Sequence, residues 1–435
     1  MDTQQSGRRP RFRPASKAVS IGQLRGLCVV LAGLSVLSGC ALIAPHRAPA
    51  PVPVVQAPPP PPPKPQLPEP VDTHKFVLSP DQEVVGTVQI TTARKQDTLL
   101  DIGRRFNVGY NEIVNANPGV DIWIPKEGTR VVVPTQFILP AAPHEGIVID
   151  VAALRLFYFP RHKPGEPQIL YTYPIGIGKA GWKTPEGVTH VTLRVKDPVW
   201  HPSLALREDH FKDNGEKLPA VVKAGPDNPL GKFEFRLGWP SYLIHGTNLP
   251  YGVGLRSSHG CVRLYPEDIE KLFQMVPVGT PVRVVNQPYL FGWRDHQLYL
   301  QVYPPLQDDH RNWQHAQKRL LMAMLNANPH LRHQLKAEGV QIDWDSVAAI
   351  GAAPRDIPVP VTGSAAAAGI AAVVAAAPQV QNRIPLGADW DGSDDASADA
   401  KTPQQVLSDL EPGTAGTVPA PAQAVTSAHR GSSGG

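Results

Sequence analysis

From Glu145 onward, apolar and polar residues alternate with the period of a half-buried strand. "GIVIDVAALRLFYFP", "QILYTYPIGIG", "VTHVTLRVKDPVW", "KFEFRLG", "SYLIHG" and "GTPVRVVNQP" are rich in β-branched and aromatic residues, with Gly/Pro turns between them. One segment breaks that period. In "YPEDIEKLFQMV", Ile269, Leu272, Phe273 and Val276 recur at helical spacing, and Pro266 suits a first helical turn. Residues 145–285 therefore predict a mostly β domain with a short helix and enough apolar sequence for a core. Residues 84–134 carry a different pattern. Leu99, Ile102 and Phe106 share a helical face after Asp97-Thr98, which offers an N-cap. "YNEIVNANPGVD" predicts a second short helix around Ile113, ended by a turn at Asn117-Pro118-Gly119, and "GTRVVVP" a closing strand. A small α+β unit is expected there.

Beyond residue 306, "NWQHAQKRLLMAMLNANPHLRHQL" predicts an amphipathic helix broken at Pro329, and "VAAIGAAPRDIPVPV" a strand returning to the core of an extension over 286–362. Residues 363–435 are Ala-, Ser-, Gly- and Pro-rich with few aromatics and read as a disordered tail. Its "AAAAGIAAVVAAA" run is too short to span a bilayer.

Composition changes the picture mainly at the N-terminus. The 49 prolines and 37 glycines exceed what one compact domain uses, and many fall in "APPPPPPKPQLPEP". Residues 40–80 read as a Pro-rich tether, which in polyproline II extends about 3.1 Å per residue. Before it, a basic, almost acid-free segment leads into "LCVVLAGLSVL", an apolar run fit for a signal-peptide core but too short to cross a membrane. The run ends in "LSGC", Leu37 to Cys40, which resembles the lipobox of bacterial lipoproteins. That resemblance implies cleavage before Cys40, removal of residues 1–39 and lipidation of the Cys40 thiol. Ala41 after the cysteine implies sorting to the outer membrane, and hence a periplasmic, lipid-anchored protein. A net charge of +4 without a basic stripe gives no case for nucleic acid.

Three cysteines are present. With Cys28 in the removed segment and Cys40 lipidated, Cys261 is left without a partner in an oxidising compartment, and catalysis is the leading reason to keep it. A cysteine nucleophile needs a base and donors for the oxyanion it creates. "IHGTNLPYGVGLRSSHGCVRL" supplies them: His245 at the end of an apolar strand, Gly246 behind it, and Ser258-His259-Gly260-Cys261 after a glycine-containing loop. Gly260 lets the backbone turn so that amides beside Cys261 can converge. Zinc held by Cys261, His259 and His245 is the alternative, but no CxxC or HExxH spacing supports it. No cofactor or metal is called for.

The span from His245 to Arg263 resembles the signature of the L,D-transpeptidase catalytic domain, a His, then a loop, then Ser/Thr-His-Gly-Cys-hydrophobic-Asn/Arg. "DVAALRLFYFP", "YPIGIGKAGWKTPEG" and "LPAVVKAGPDNPLGKF" resemble the periplasmic branch of that family, in which a LysM module precedes the catalytic domain. Residues 84–134 resemble LysM through Asp97-Thr98-Leu99, Ile113, Ala116-Asn117, Asp121, Ile124 and Val133-Pro134, with Gln96 where that module usually has Gly. The resemblance implies a β-sandwich-like catalytic fold, Cys261 as nucleophile, and His245 as proton carrier held by the Gly246 carbonyl. It places His259 beside the thiol, Ser258 in the orienting set, and the Gly260 and Cys261 amides at the oxyanion. Arg263 and Arg256 become candidates for a substrate carboxylate. It implies action on peptidoglycan stem peptides and glycan, with an acceptor that is a stem diamino acid or the terminal lysine of an outer-membrane lipoprotein. A hydrolase on the same fold, or a lipoprotein that only ties membrane to wall, are the rival readings.

Overall fold

The computed structural model describes residues 74–383 apart from Pro80, Asp81, Gln314 and Asn328; the apolar N-terminal run, Cys40 and residues 384–435 lie outside the described residues. The first described element departs from expectation. Lys75–Leu78 (β1), assigned by composition to the tether, is a strand: Phe76 and Leu78 alternate inward with Lys75 and Val77 outward, and it pairs antiparallel with Gln168–Pro174 (β8).

Next come Val84–Gly86 (β2), Gln89–Thr92 (β3), the helices Leu99–Arg105 (α1) and Tyr110–Ala116 (α2), then Arg130–Val133 (β4) and Gln136–Ile138 (β5). The β3-α1-α2-β4 run is a compact unit in which β3 and β4 pair antiparallel. Thr98 caps α1 as expected, accepting from the Asp101 N–H while the Asp101 carboxylate accepts from the Thr98 N–H. Leu99, Ile102, Phe106 and Ile113 form its core with Val131 and Val133. Asn117 ties α2 to β4, its Nδ2 donating to the Ile113 and Val132 carbonyls and its Oδ1 accepting from the Val132 N–H.

Gly146–Asp150 (β6), Arg155–Phe159 (β7), β8, Ile177–Gly178 (β9) and Gly187–Lys196 (β10) follow. Helix Leu204–Asn214 (α3) intervenes before Phe233–Leu237 (β11), Leu243–His245 (β12), Arg256–Ser258 (β13) and Val262–Arg263 (β14). Pro266–Met275 (α4), with Pro266 in its first turn, leads to Pro281–Val285 (β15). These strands build a nine-stranded sheet ordered β1-β8-β7-β6-β15-β10-β11-β12-β14, with parallel pairing at β6/β15 and β12/β14. β6 and β7 are buried on both faces. Ile147, Ile149, Tyr158 and Val284 pack with Ile269 and Leu272 of α4, and with Val276 just after it, on one side. On the other, Val148, Phe157 and Phe159 meet Val85 and Phe137.

The extension has its own core. Tyr289–Arg294 (β16), Gln297–Val302 (β17) and Val359–Pro360 (β18) form a sheet covered by Gln317–Ala327 (α5), Pro329–Ala337 (α6) and Trp344–Ala352 (α7). The break at Pro329 holds. The strand expected over 347–361 is confined to β18; its first half is α7, because the Asp343 carboxylate caps the 345 and 346 amides and Val347 and Ile350 bury on one face. Residues 363–383 are not the start of a featureless tail. Gly363–Ala366 (α8) and Gly369–Ala376 (α9) are helical, and Ile370, Val373 and Val374 pack on Ile90, Ala116 and Val132. Composition counts missed this because only the spacing of those three residues carries it.

Candidate active site

Parallel pairing of β12 with β14 sets Ile244 opposite Val262 and His245 opposite Arg263, so Cys261, just ahead of β14, adjoins the strand that carries His245. Antiparallel pairing of β11 with β12 sets Glu234 on the other flank of His245. His245 therefore stands on the middle strand of three, which fixes it better than a loop could. His245 is buried, and its Nδ1 lies 2.6 Å from the Gly246 carbonyl oxygen. A carbonyl can only accept, so Nδ1 carries the proton and Nε2 is left with a lone pair. Burial, helped by the charge of Arg263, pushes the imidazole down to about 3 against opposing contributions from the Gly246 and Leu230 carbonyls.

Cys261 is a free, half-buried thiol whose Sγ lies 3.6 Å from the Ser241 carbonyl. Burial pushes it up to about 11, while the Leu243 amide and Arg263 favour its thiolate and Glu234 opposes it. The resting pair is thus thiol and neutral imidazole.

The loop before Cys261 is braced from several directions. Ser258 Oγ donates to the Cys261 carbonyl at 2.5 Å and accepts from the Gly260 N–H at 3.2 Å. The Gly260 amide, expected at the oxyanion, is therefore engaged within its own turn. Gly260 has φ of +104°, and a Cβ there would stand 2.8 Å from the Tyr242 ring, so the turn requires glycine. Thr184 Oγ1 donates to the Gly260 carbonyl at 2.9 Å.

His259 meets residues that the sequence did not single out. Its Nε2 lies 2.9 Å from Asp209 Oδ2 on α3, and Lys179 Nζ bonds the same oxygen at 3.0 Å. The Trp182 ring meets His259 edge-on at 4.9 Å. Burial lowers the His259 ionisation despite Asp209. Burial alone would raise that of Asp209, but its bonds from Lys179 and His259 hold it low. No local signal marks these partners, because each arrives from a distant segment.

The two arginines separate. Arg263 Nη1 donates to Ser257 Oγ at 3.2 Å, and its charge acts on both His245 and Cys261. Arg256 is instead turned away to Asp308, with Nη1 2.8 Å from Oδ1, and donates through Nε to the Gly178 carbonyl. A substrate carboxylate is not its nearest partner. The arrangement can do nucleophilic acyl chemistry: a thiol, a base of fixed tautomer on the neighbouring strand, and a cation that favours negative charge at sulfur.

Comparison with known proteins agrees with that chemistry. The YkuD family model, described as the L,D-transpeptidase catalytic domain, matches residues 144–284. A Salmonella typhimurium protein named probable L,D-transpeptidase ErfK/SrfK is 39% identical over 270 residues, covering 61% of this chain and 84% of that one. The Escherichia coli protein named probable L,D-transpeptidase YbiS is 42% identical over 227 residues, 51% of this chain and 72% of that one. Among solved structures, the catalytic domain of the E. faecium L,D-transpeptidase is 24% identical with a TM-score of 0.25, covering 34% of this chain and 100% of that one.

Proposed function

The chain belongs to the L,D-transpeptidase family, and from that premise we propose how its own residues carry the acyl transfer and on what. The substrate is a peptidoglycan tetrapeptide stem, attacked at the L,D peptide bond between its third and fourth residues. Cys261 Sγ bonds to the carbonyl carbon as its proton passes to His245 Nε2. Because both groups rest neutral, transfer of that proton accompanies the attack rather than preceding it. The C–N bond then breaks, and the imidazolium returns the proton to the departing D-Ala amine. In the second half, an amine attacks the thioester and loses its proton to His245. The C–S bond breaks and the thiolate recovers that proton. Arg263 stabilises negative charge at sulfur throughout, since its charge favours the Cys261 thiolate.

The observation that carries this reading is the β12/β14 register, which seats Cys261 beside the strand of a His245 whose Nδ1 is committed to Gly246. The βααβ unit is proposed to hold the glycan strand, supported by its LysM-like order of elements and by the Asp121 carboxylate, which accepts from the 123 and 124 amides and presents Ile124 to solvent. Lipid attachment at Cys40 and an outer-membrane, periplasmic location rest on "LSGC" followed by Ala41. The acceptor is a diamino-acid side chain or a lipoprotein lysine.

Mass spectrometry of muropeptides after incubation with tetrapeptide-bearing sacculi tests the reading. New 3-3 dimers or lipoprotein-linked stems support transfer, free tripeptides indicate a hydrolase, and unchanged stems with sacculus binding retained would sink the enzyme reading. Cys261→Ala is expected to abolish product; product from that variant would remove Cys261 as nucleophile.

A further inference from the structure

We propose that Thr184, which stands outside the His245–Arg263 motif, is a positioning residue for the oxyanion: its hydroxyl holds the Gly260–Cys261 peptide so that the Cys261 N–H faces the carbonyl oxygen under attack. This deepens the transpeptidase reading and rests on it only in taking Cys261 as the nucleophile. When Cys261 Sγ bonds to a carbonyl carbon, the C=O π pair moves onto the oxygen, and the charge needs a donor already in place. Two amides were expected there, those of Gly260 and Cys261. The Gly260 N–H is engaged by Ser258 Oγ at 3.2 Å. The Cys261 N–H donates to no acceptor among the described residues. Of the expected pair, the donor left is on the nucleophile's own backbone, and its direction matters all the more.

A trans peptide is a rigid plane whose C=O and N–H point opposite ways. Whatever grips the Gly260 carbonyl therefore aims the Cys261 N–H. Thr184 Oγ1 is that grip, donating to the Gly260 carbonyl at 2.9 Å while accepting from the Gly178 N–H at 3.1 Å. A hydroxyl has one hydrogen, and accepting from Gly178 leaves it little freedom to turn away. The methyl group on the Thr184 Cβ restricts χ1 further. A bond at the carbonyl end also polarises the N–H end, since linked hydrogen bonds strengthen one another.

The segment that carries the hydroxyl is itself fixed. β9 pairs parallel with β13, with Gly178 opposite Ser258, and the Lys179 N–H donates to the Ser258 carbonyl at 2.8 Å. The Trp182 N–H closes the turn on the Lys179 carbonyl at 2.9 Å, and the Trp182 ring meets His259 edge-on. Pro185 biases residue 184 toward extended backbone. Thr184 thus reaches the Ser258–Cys261 turn from a neighbouring segment and not from within it. Ser258 Oγ, donating to the Cys261 carbonyl, holds the next peptide along. A brace of the whole turn would serve the thiol and the oxyanion alike, whereas aiming one N–H serves only reactions that make an oxyanion.

Two reactions of Cys261 in the full chain separate these roles. Acylation by p-nitrophenyl acetate, read as the p-nitrophenolate burst above a Cys261→Ala background, builds negative charge on the attacked carbonyl oxygen. Alkylation by iodoacetamide displaces iodide from a saturated carbon and builds none there. Thr184→Val, matched in shape but without the hydroxyl, is expected to slow acylation about tenfold to a hundredfold, short of the loss of about 10²–10³ when an oxyanion donor is deleted. Its alkylation rate should match that of the wild type, which also reports an intact fold and thiol. Thr184→Ser, which keeps the donor, should recover most of the loss. Thr184→Ala carries the same prediction as the valine variant if valine is not tolerated. Equal slowing of both reactions would make Thr184 a brace of the whole turn and overturn the proposal. So would unchanged acylation in the valine and alanine variants, or a serine variant no faster than they are. A wild-type chain that is alkylated but not acylated would overturn it as well. D-Ala release from a stem tetrapeptide, measured separately, reports on the transpeptidase reading, so either can fail alone.

Discussion

At pH 7 a thiol pushed up to about 11 and an imidazole pushed down to about 3 are both uncharged. Reactivity of Cys261 should therefore follow its rare thiolate rather than a standing ion pair. With the folded ionisation raised, the thiolate fraction grows with each pH unit up to about 11, where an unperturbed thiol would level off near 8.5. Iodoacetamide alkylation of Cys261 should climb from pH 7 through pH 9.5 without a plateau. A plateau between pH 6 and 7 would mean a preformed thiolate–imidazolium pair and contradict the burial argument. Below pH 7 no loss of the neutral base is expected until the range near 3, because His245 is depressed, so acylation should not fall between pH 7 and 5 on its account. That Cys261 would adjoin the strand of His245 was legible in the sequence because both sit in one contiguous motif. Asp209, Lys179 and Trp182 were not, since only folding brings the 179–182 turn and α3 onto His259.

Helix α3 shows how little some elements bury. Leu204, Ala205, Glu208, Phe211 and Lys212 are exposed, and none of its described residues is buried. Ser203 caps its start and Gly215, in the left-handed region, ends it, so the helix is locally well specified. Hydrophobic burial cannot be what seats it beside the site; Asp209, bridging Lys179 and His259, is a polar attachment. Asp209→Ala should raise amide exchange across residues 204–212 and lower kcat/KM, while the melting temperature moves by no more than a few degrees. Unchanged exchange there would show that the helix is held by something else. The contrast with α4 explains what sequence reading can do at this scale. Ile269, Leu272 and Val276 announce α4 by their period and bury against the sheet, whereas α3 has no such stripe and was not foreseen. Strands β6 to β8 were legible for the same reason as α4. β1, α8 and α9 were hidden under compositions that resemble linker.

Across the whole molecule, the βααβ unit is fastened to the catalytic sheet rather than strung beside it. Arg155 of β7 and Glu112 of α2 form a bidentate pair at 2.7 and 2.8 Å with side chains 0% and 2% exposed, and Arg155 also donates to the Asn107 carbonyl. Gly254, at φ +86°, allows the loop before β13 to touch Gly109 and Tyr110; a Cβ there would stand 2.1 Å from the Tyr110 nitrogen. The same loop runs into the Ser258–Cys261 turn, so the βααβ unit and that turn share a mount. Glu112→Gln keeps the shape but leaves a buried guanidinium uncompensated, which should destabilise by about 3–5 kcal/mol in denaturant unfolding. A loss under about 1 kcal/mol would mean that water reaches Arg155.

The C-terminal segment closes the other side of that unit. The Ile90 N–H donates to the Pro378 carbonyl and the Val380 N–H returns to the Ile90 carbonyl, each at 2.8 Å, adding an extended segment to the β3 edge. Val380 joins the core of the unit at 1% exposed, and Asn382 Nδ2 bonds the Thr92 carbonyl and the Asp97 carboxylate. Asp97 lies in the turn that opens α1, so Asn382 helps shape a loop far upstream of it. An exposed strand edge is an invitation to pair with another chain, and covering it is one of the ways proteins prevent this. Truncation after residue 362 removes α8, α9 and this strap. Hydrogen exchange followed by mass spectrometry should then show the Ile90 amide losing protection while β6 and β7, buried on both faces by other elements, keep theirs. The truncated protein should also self-associate more readily in sedimentation, through the uncovered β3 edge. Retained protection at Ile90 in a monomeric truncation would show that β4 alone holds that edge and that the strap contributes nothing to it.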